Sequence, residues 1–266
     1  MLRSAEQHLL EQRRFQTVGA AAAQRAWRLS NPRSLLPALI RLQTEAARAA
    51  IAGVAAMLAE QNIAAPPMAQ VDPRGFAGAA SDGRPLDTLL DQATTMYALE
   101  MMALTQIADA GRVAAGVAIT ARPRVGWTRM VNPPCCPRCA ILAGKYFRWN
   151  QGFQRHPNCD CRHIPTQEDV VGDVRTDPKS LFGSGHVNGV TRAEQKAIND
   201  GADINRVINA RRSQYMDDAG RHLTREATTR RGGAPVIRYT PEEIYRQVGD
   251  DQAAAIRALK KFGYLF

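Results

Sequence analysis

The chain has 266 residues, 45% of them hydrophobic, which is enough for a real core arranged as one large domain or two to three small ones. Its formal charge of +10 points to a polyanionic neighbour such as nucleic acid, or to a solvated basic surface, and says little about fold. No run of about 18 apolar residues occurs, and the opening MLRSAEQHLLEQRRF is charged throughout, so neither a membrane span nor a secretory signal is expected. Alanine is abundant and β-branched runs are sparse, which favours helix.

The spacing predicts a first helix over residues 2–29, with Leu9, Leu10, Phe15, Val18, Ala22 and Trp27 at three- and four-residue steps. Ser30, Asn31 and Pro32 break it and restart a second helix that runs to about Gln61. Residues 65–85 carry turn chemistry, with a short helix expected after Asp72. A third long helix is predicted over Leu86 to Thr120, and three such helices in sequence suggest an elongated bundle. Val125 to Val131 reads as a short strand leading into the cysteines, and residues 168–189 as a loop rich in Gly and Asp. Thr191 with Glu194 is a capping-box pattern, Asp203 to Arg212 reads as a second short helix, and Thr240-Pro241 starts a third. Asp250 or Asp251 caps a last helix, which Gly263 stops. The expected fold is therefore mainly α. An elongated helical region of long helices spans 1–120, and a small β-containing zinc-knuckle module spans 121–167. A basic linker with short helices covers 168–238, and a C-terminal helical segment 239–266.

All five cysteines fall between residues 135 and 161. An odd count without a secretory signal argues for reduced thiols over a disulfide scaffold. Cys136 and Cys139 form a C-x2-C knuckle, and His156 and Cys159 form an H-x2-C pair sixteen residues on, with Cys161 and His163 directly behind. Two chelating turns at that separation are the spacing of a structural zinc site, in which the loop folds back and completes a tetrahedron. Cys136, Cys139 and His156 are the first three expected ligands. The fourth is Cys159 or Cys161, with Cys135 and His163 as spare candidates. The crowding of donors argues for a closed structural site rather than a catalytic one with an open position.

This segment resembles the central signature of phage Mu F-like minor head proteins, in the longer form found in phages of actinobacteria. The matching residues are Cys136 and Cys139, then Leu142 and Gly144, an aromatic-rich loop, His156-Pro157-Asn158-Cys159, Cys161 and Pro165. The resemblance implies a structural, non-enzymatic component of the virion, inside the capsid at or near the portal and in the host cytoplasm during assembly. Its partners would be the portal and major capsid proteins and the packaged double-stranded DNA, with no membrane involved during assembly. It would aid head assembly and genome packaging or delivery.

Independently of that likeness, residues 206–238 hold eight arginines and three acids, and Arg211, Arg212, Arg230 and Arg231 could neutralise phosphates without reading sequence. Trp149 and Phe153 are expected to pack around the metal knuckles rather than stack on bases, and Trp127 to be core. Two other functions compete. One is a capsid maturation protease or other zinc-dependent hydrolase, for which only Ser184 and His186 in a Gly-rich loop offer a pairing, with no G-x-S-x-G or H-E-x-x-H motif. The other is a nonspecific DNA-binding zinc module.

Overall fold

A computed structural model describes residues 2–155, 159–226 and 238–266. The protein is mainly helical, with two small antiparallel sheets. It divides into two compact units: Met1–Asn132 with Lys145–Arg175, and Pro133–Gly144 with Thr176–Phe266. No helix among the described residues is long and apolar enough to cross a membrane.

The first unit is built on α1 (Arg3–Arg28), α2 (Leu36–Glu60), α3 (Leu86–Asp91) and α4 (Met96–Thr120). Alanines dominate the contact faces of the three long helices: Ala23, Ala46, Ala47, Ala50, Ala103, Ala114 and Ala118 are all fully buried. Small side chains let the backbones approach, and Leu39, Leu99 and Ile107 fill the remaining space. Leu2, the residue before α1, offers no capping side chain. The Glu60 carboxylate, at the far end of α2, instead accepts from the backbone N–H groups of Arg3 and Ser4 at 2.9 Å each. It thereby satisfies two orphan donors and places negative charge at the positive end of the helix.

The break after α1 occurs where expected, with Ser30 in the left-handed region at φ 51°. The expected helix over 86–120 is two helices. α3 ends at Asp91, and Thr95 caps α4 by accepting from Ala98 N at 3.0 Å. Thr94 and Thr95 lower helix propensity, and a threonine hydroxyl competes for backbone donors, so the apolar periodicity runs through a real boundary. The short helix expected after Asp72 is a 3-10 turn, Pro73–Phe76, capped by that carboxylate. Gln43 on α2 ties this connection down: its Nε2 donates to Ala79 O and its Oε1 accepts from Gly78 N.

β1 (Gly126–Met130) is central in a three-stranded antiparallel sheet, between β2 (Tyr146–Phe147) and β3 (Arg162–Thr166). Trp127, 2% exposed, plugs the sheet into the helices beside Val54 and Ile119. Gly126 sits where any Cβ would run into the Tyr146 hydroxyl and the Phe147 carbonyl. Gly126→Ala should therefore cost about 1–3 kcal/mol by overpacking against a backbone atom that cannot swing away. Urea denaturation checks it, and an unchanged midpoint would show that β2 can shift freely.

In the second unit, the helix starts read from sequence at Thr191, Asp203, Thr240 and Asp251 recur, and two further helices precede them. α5 (Pro137–Ala143) begins at Cys136, α6 (Pro178–Gly183) at Asp177, and α7 (Arg192–Asn199) at the Thr191–Glu194 capping box. α8 (Ile204–Asn209) begins at Asp203, α9 (Pro241–Val248) at Thr240, and α10 (Gln252–Lys261) at Asp251. α6 lies inside the stretch read as loop. The basic segment contains a sheet that periodicity did not reveal, with β4 (Gln214–Met216), β5 (His222–Thr224) and β6 (Arg238–Tyr239) in that order. Strands of two or three residues are too short for alternation to register. Tyr264, fully buried, anchors the C-terminal end by donating from its hydroxyl to Tyr239 O at 2.9 Å.

Candidate metal centre

Cys159 and Cys161 precede β3, and Cys139 lies in the first turn of α5. All three are buried, and within the first unit the Sγ atoms of Cys159 and Cys161 lie within 4.8 Å of one another. A tetrahedral metal with thiolate bonds near 2.3 Å sets sulfurs about 3.8 Å apart, so small adjustments would suffice. The cluster could hold a metal ion.

Around Cys159 and Cys161 stands a frame of arginines that the sequence reading did not single out. Arg112 on α4, 5% exposed, donates from Nε to Cys161 O at 3.1 Å and from Nη2 to Cys159 O. Its Nη1 donates to Asp109 at 3.0 Å, one helical turn back. Asp109 also takes Arg155 and the Ser81 hydroxyl, so its oxygens are committed. One side chain thus grips the backbone of both cysteines and is itself locked. Arg129, on β1, points Nη1 at Cys159 Sγ from 4.0 Å while its guanidinium lies over the Phe153 ring. Arg162 donates to Cys161 O at 3.3 Å.

Arg112, Arg129 and Arg162 are all buried here, and the buried Asp109 carboxylate pairs with Arg112. Uncompensated, that much positive charge would be costly. Thiolates at Cys159 and Cys161 would set negative charge beside these guanidiniums. The pKa values follow the same logic. Burial, then the charge of Arg112, pulls Arg162 down to about 9, and the two cysteines and Asp160 oppose that fall. Burial likewise lowers Arg112, and the Cys159 thiolate acts against it. His163, fully buried, is pushed well below the usual histidine range, first by desolvation and then by Arg129.

On the opposite face of β3, His8 of α1 sits near Arg162, in space left by the missing side chain of Gly53. Burial, then the Arg162 charge, lowers it to about 4. Between pH 6.5 and about 4 the unfolded chain accepts a proton that the native ring refuses, so stability should fall by up to roughly 3 kcal/mol over that window. The fall should be smaller in His8→Gln. Equal acid sensitivity of both proteins in chemical denaturation would remove His8 from this account.

Other predicted residues are placed as follows. Cys136 is absent from the thiol group. It caps α5, its sulfur accepting from Cys139 N at 3.3 Å. Cys135 pairs by backbone with His186 and Asn188. His156, Arg230 and Arg231 lie outside the described residues. Arg211 is committed to the buried Glu194 carboxylate and to Gly189 O, while the half-exposed Arg212 reaches Glu226 at 3.7 Å. Trp127 is core as expected. Phe153 packs on Trp127, Arg129 and His163. Trp149 does not pack inward: it is 57% exposed, because β2 ends before it and the chain turns outward. Ser184 Oγ and His186 Nδ1 are 3.0 Å apart on an exposed loop, but no carboxylate orients that imidazole among the described residues.

The buried frame left one trace in the sequence: Asp109-x-x-Arg112, a charged pair inside the otherwise apolar run of α4. Compared with protein-family models, curated proteins and solved structures, the chain matches none.

Proposed function

We propose that this chain is a structural minor head protein of a tailed phage, working inside the capsid at or near the portal in head assembly, with a zinc ion fixing its cysteine segment. The observation that carries this reading is the approach of the buried Cys159 and Cys161 thiols to each other, inside the segment whose spacing resembles Mu F-like proteins. Zinc suits thiolates in a dry, arginine-rich setting, and the donors expected from the spacing, Cys136, Cys139 and His156, would complete its shell. Bound there, the ion contributes folding energy and no reaction chemistry.

A structural role is also supported by the carboxylates near the thiols. Asp109 is held by two arginines and Ser81, and Asp160 accepts from Arg13 and Asn132. Neither is placed as a general base. The engagement of Arg211 with Glu194 favours a structural part for that arginine over phosphate binding.

Elemental analysis of the purified chain should find about one zinc per molecule, as expected for a structural site. Immunoblotting of assembled heads, before and after DNA release, should find the chain together with the portal protein. A metal-free folded chain would end the zinc reading, and a chain absent from heads would end the virion reading.

A further inference from the structure

The first unit carries a cavity of about 520 Å³, within the roughly 300–1,000 Å³ of small-molecule sites. The exposed side of α4 forms one wall with Val113, Gly116 and Val117, and residues 149–153 form the other. Val113 and Val117 are 44% and 41% exposed, so this wall is apolar and open to solvent.

Three features point to a ligand. Trp127 is stacked by Phe147 at 4.2 Å and by Phe153 at 5.1 Å, whereas Trp149 at the rim has no ring against it among the described residues. Secondly, His163 lines the cavity although only 5% exposed, and its Nδ1 has no hydrogen-bond partner. A buried polar atom left unmatched is costly, and a ligand atom bonded to it would recover that cost. The grouped thiols do not include this imidazole, so the metal centre does not account for it. Lastly, Arg155 lines the cavity with its side chain 28% exposed, its guanidinium paired to Asp109.

We propose that this cavity binds a nucleotide, with the base stacked on Trp149 and reaching His163, and the phosphate drawn to Arg155. An indole face accepts any base, and a guanidinium beside it takes the phosphate. The same chemistry comes from a free mononucleotide or from an unpaired nucleotide of a strand. Neither source depends on the proposed place in the head.

The test uses the full chain with its metal content measured. Deoxyadenosine monophosphate is titrated by calorimetry beside adenosine, inorganic phosphate and a single-stranded deoxyadenosine decamer. The mononucleotide should bind saturably and more tightly than either half of it. Trp149→Ala should weaken binding about tenfold or more, since stacking on an aromatic ring is worth that much. Val117→Glu, which sets a carboxylate on the half-exposed wall, should weaken the nucleotide and leave adenosine little changed. Both variants should keep wild-type helicity and metal content. A decamer that binds more tightly per site identifies a strand as the source, and equal affinity identifies the free nucleotide. No saturable binding of either, or wild-type affinity in both variants, would overturn the proposal.

Discussion

Cys161→Ser is expected to abolish binding of the proposed zinc almost completely and to destabilise the protein by several kcal/mol, on the order of 5 or more, because metal-binding energy in such a site is folding energy. A serine hydroxyl is a poor zinc ligand and brings no charge. Its loss also leaves Arg112, Arg129 and Arg162 buried with less to offset them. Cys159→Ser should behave alike. Cys135→Ser is the control, since Cys135 lies outside the thiol group and pairs through its backbone. Zinc content and thermal unfolding, measured with and without a chelator, decide the matter. Full zinc occupancy in both Cys159→Ser and Cys161→Ser would mean that these sulfurs are not ligands.

Asp109→Asn should cost about 3–5 kcal/mol, the range for breaking a buried ion pair and stranding its partner. The change keeps the shape of the side chain and removes the charge that holds Arg112 and Arg155. Arg112 would then lose the contact that aims it at the Cys159 and Cys161 carbonyls, so zinc affinity should also drop by roughly 10- to 100-fold, as for other outer partners of metal ligands. Arg155→Gln should be milder, because that side chain is 28% exposed and water can replace part of its pairing. Urea midpoints at unchanged slope, with chelator competition for zinc, give both readings. A loss under about 1 kcal/mol in Asp109→Asn would show that the frame is not held as described.

Much of the local structure is legible in the residues. Thr191, Asp203, Thr240 and Asp251 each accept from a backbone N–H three residues on, at the helix starts that their chemistry announces. Such caps depend on a few neighbouring atoms, which is why sequence suffices. The boundary at Thr95 shows the limit: apolar spacing continues from α3 into α4, and only the local hydroxyl interrupts the helix. The strands β4 to β6 were hidden for a different reason. Each strand has only two or three residues, too few for alternation to register, even where β4 and β5 pair as a local hairpin.

Composition and spacing by themselves determined that the protein is mainly helical and that its five thiols lie within one short segment, residues 135–161. Tertiary structure decided that the Cys136 sulfur turns to cap α5 and that Cys159 and Cys161 lie together, both buried. Folding also decided that Arg112, Arg129 and Arg162, far apart in the chain, surround the latter pair, and that Trp149 faces solvent. The physical reason is one of range. Caps and helices are settled by atoms a few residues apart, whereas buried charge must be balanced by whatever the packed chain brings near, and that neighbourhood exists only once the core has formed.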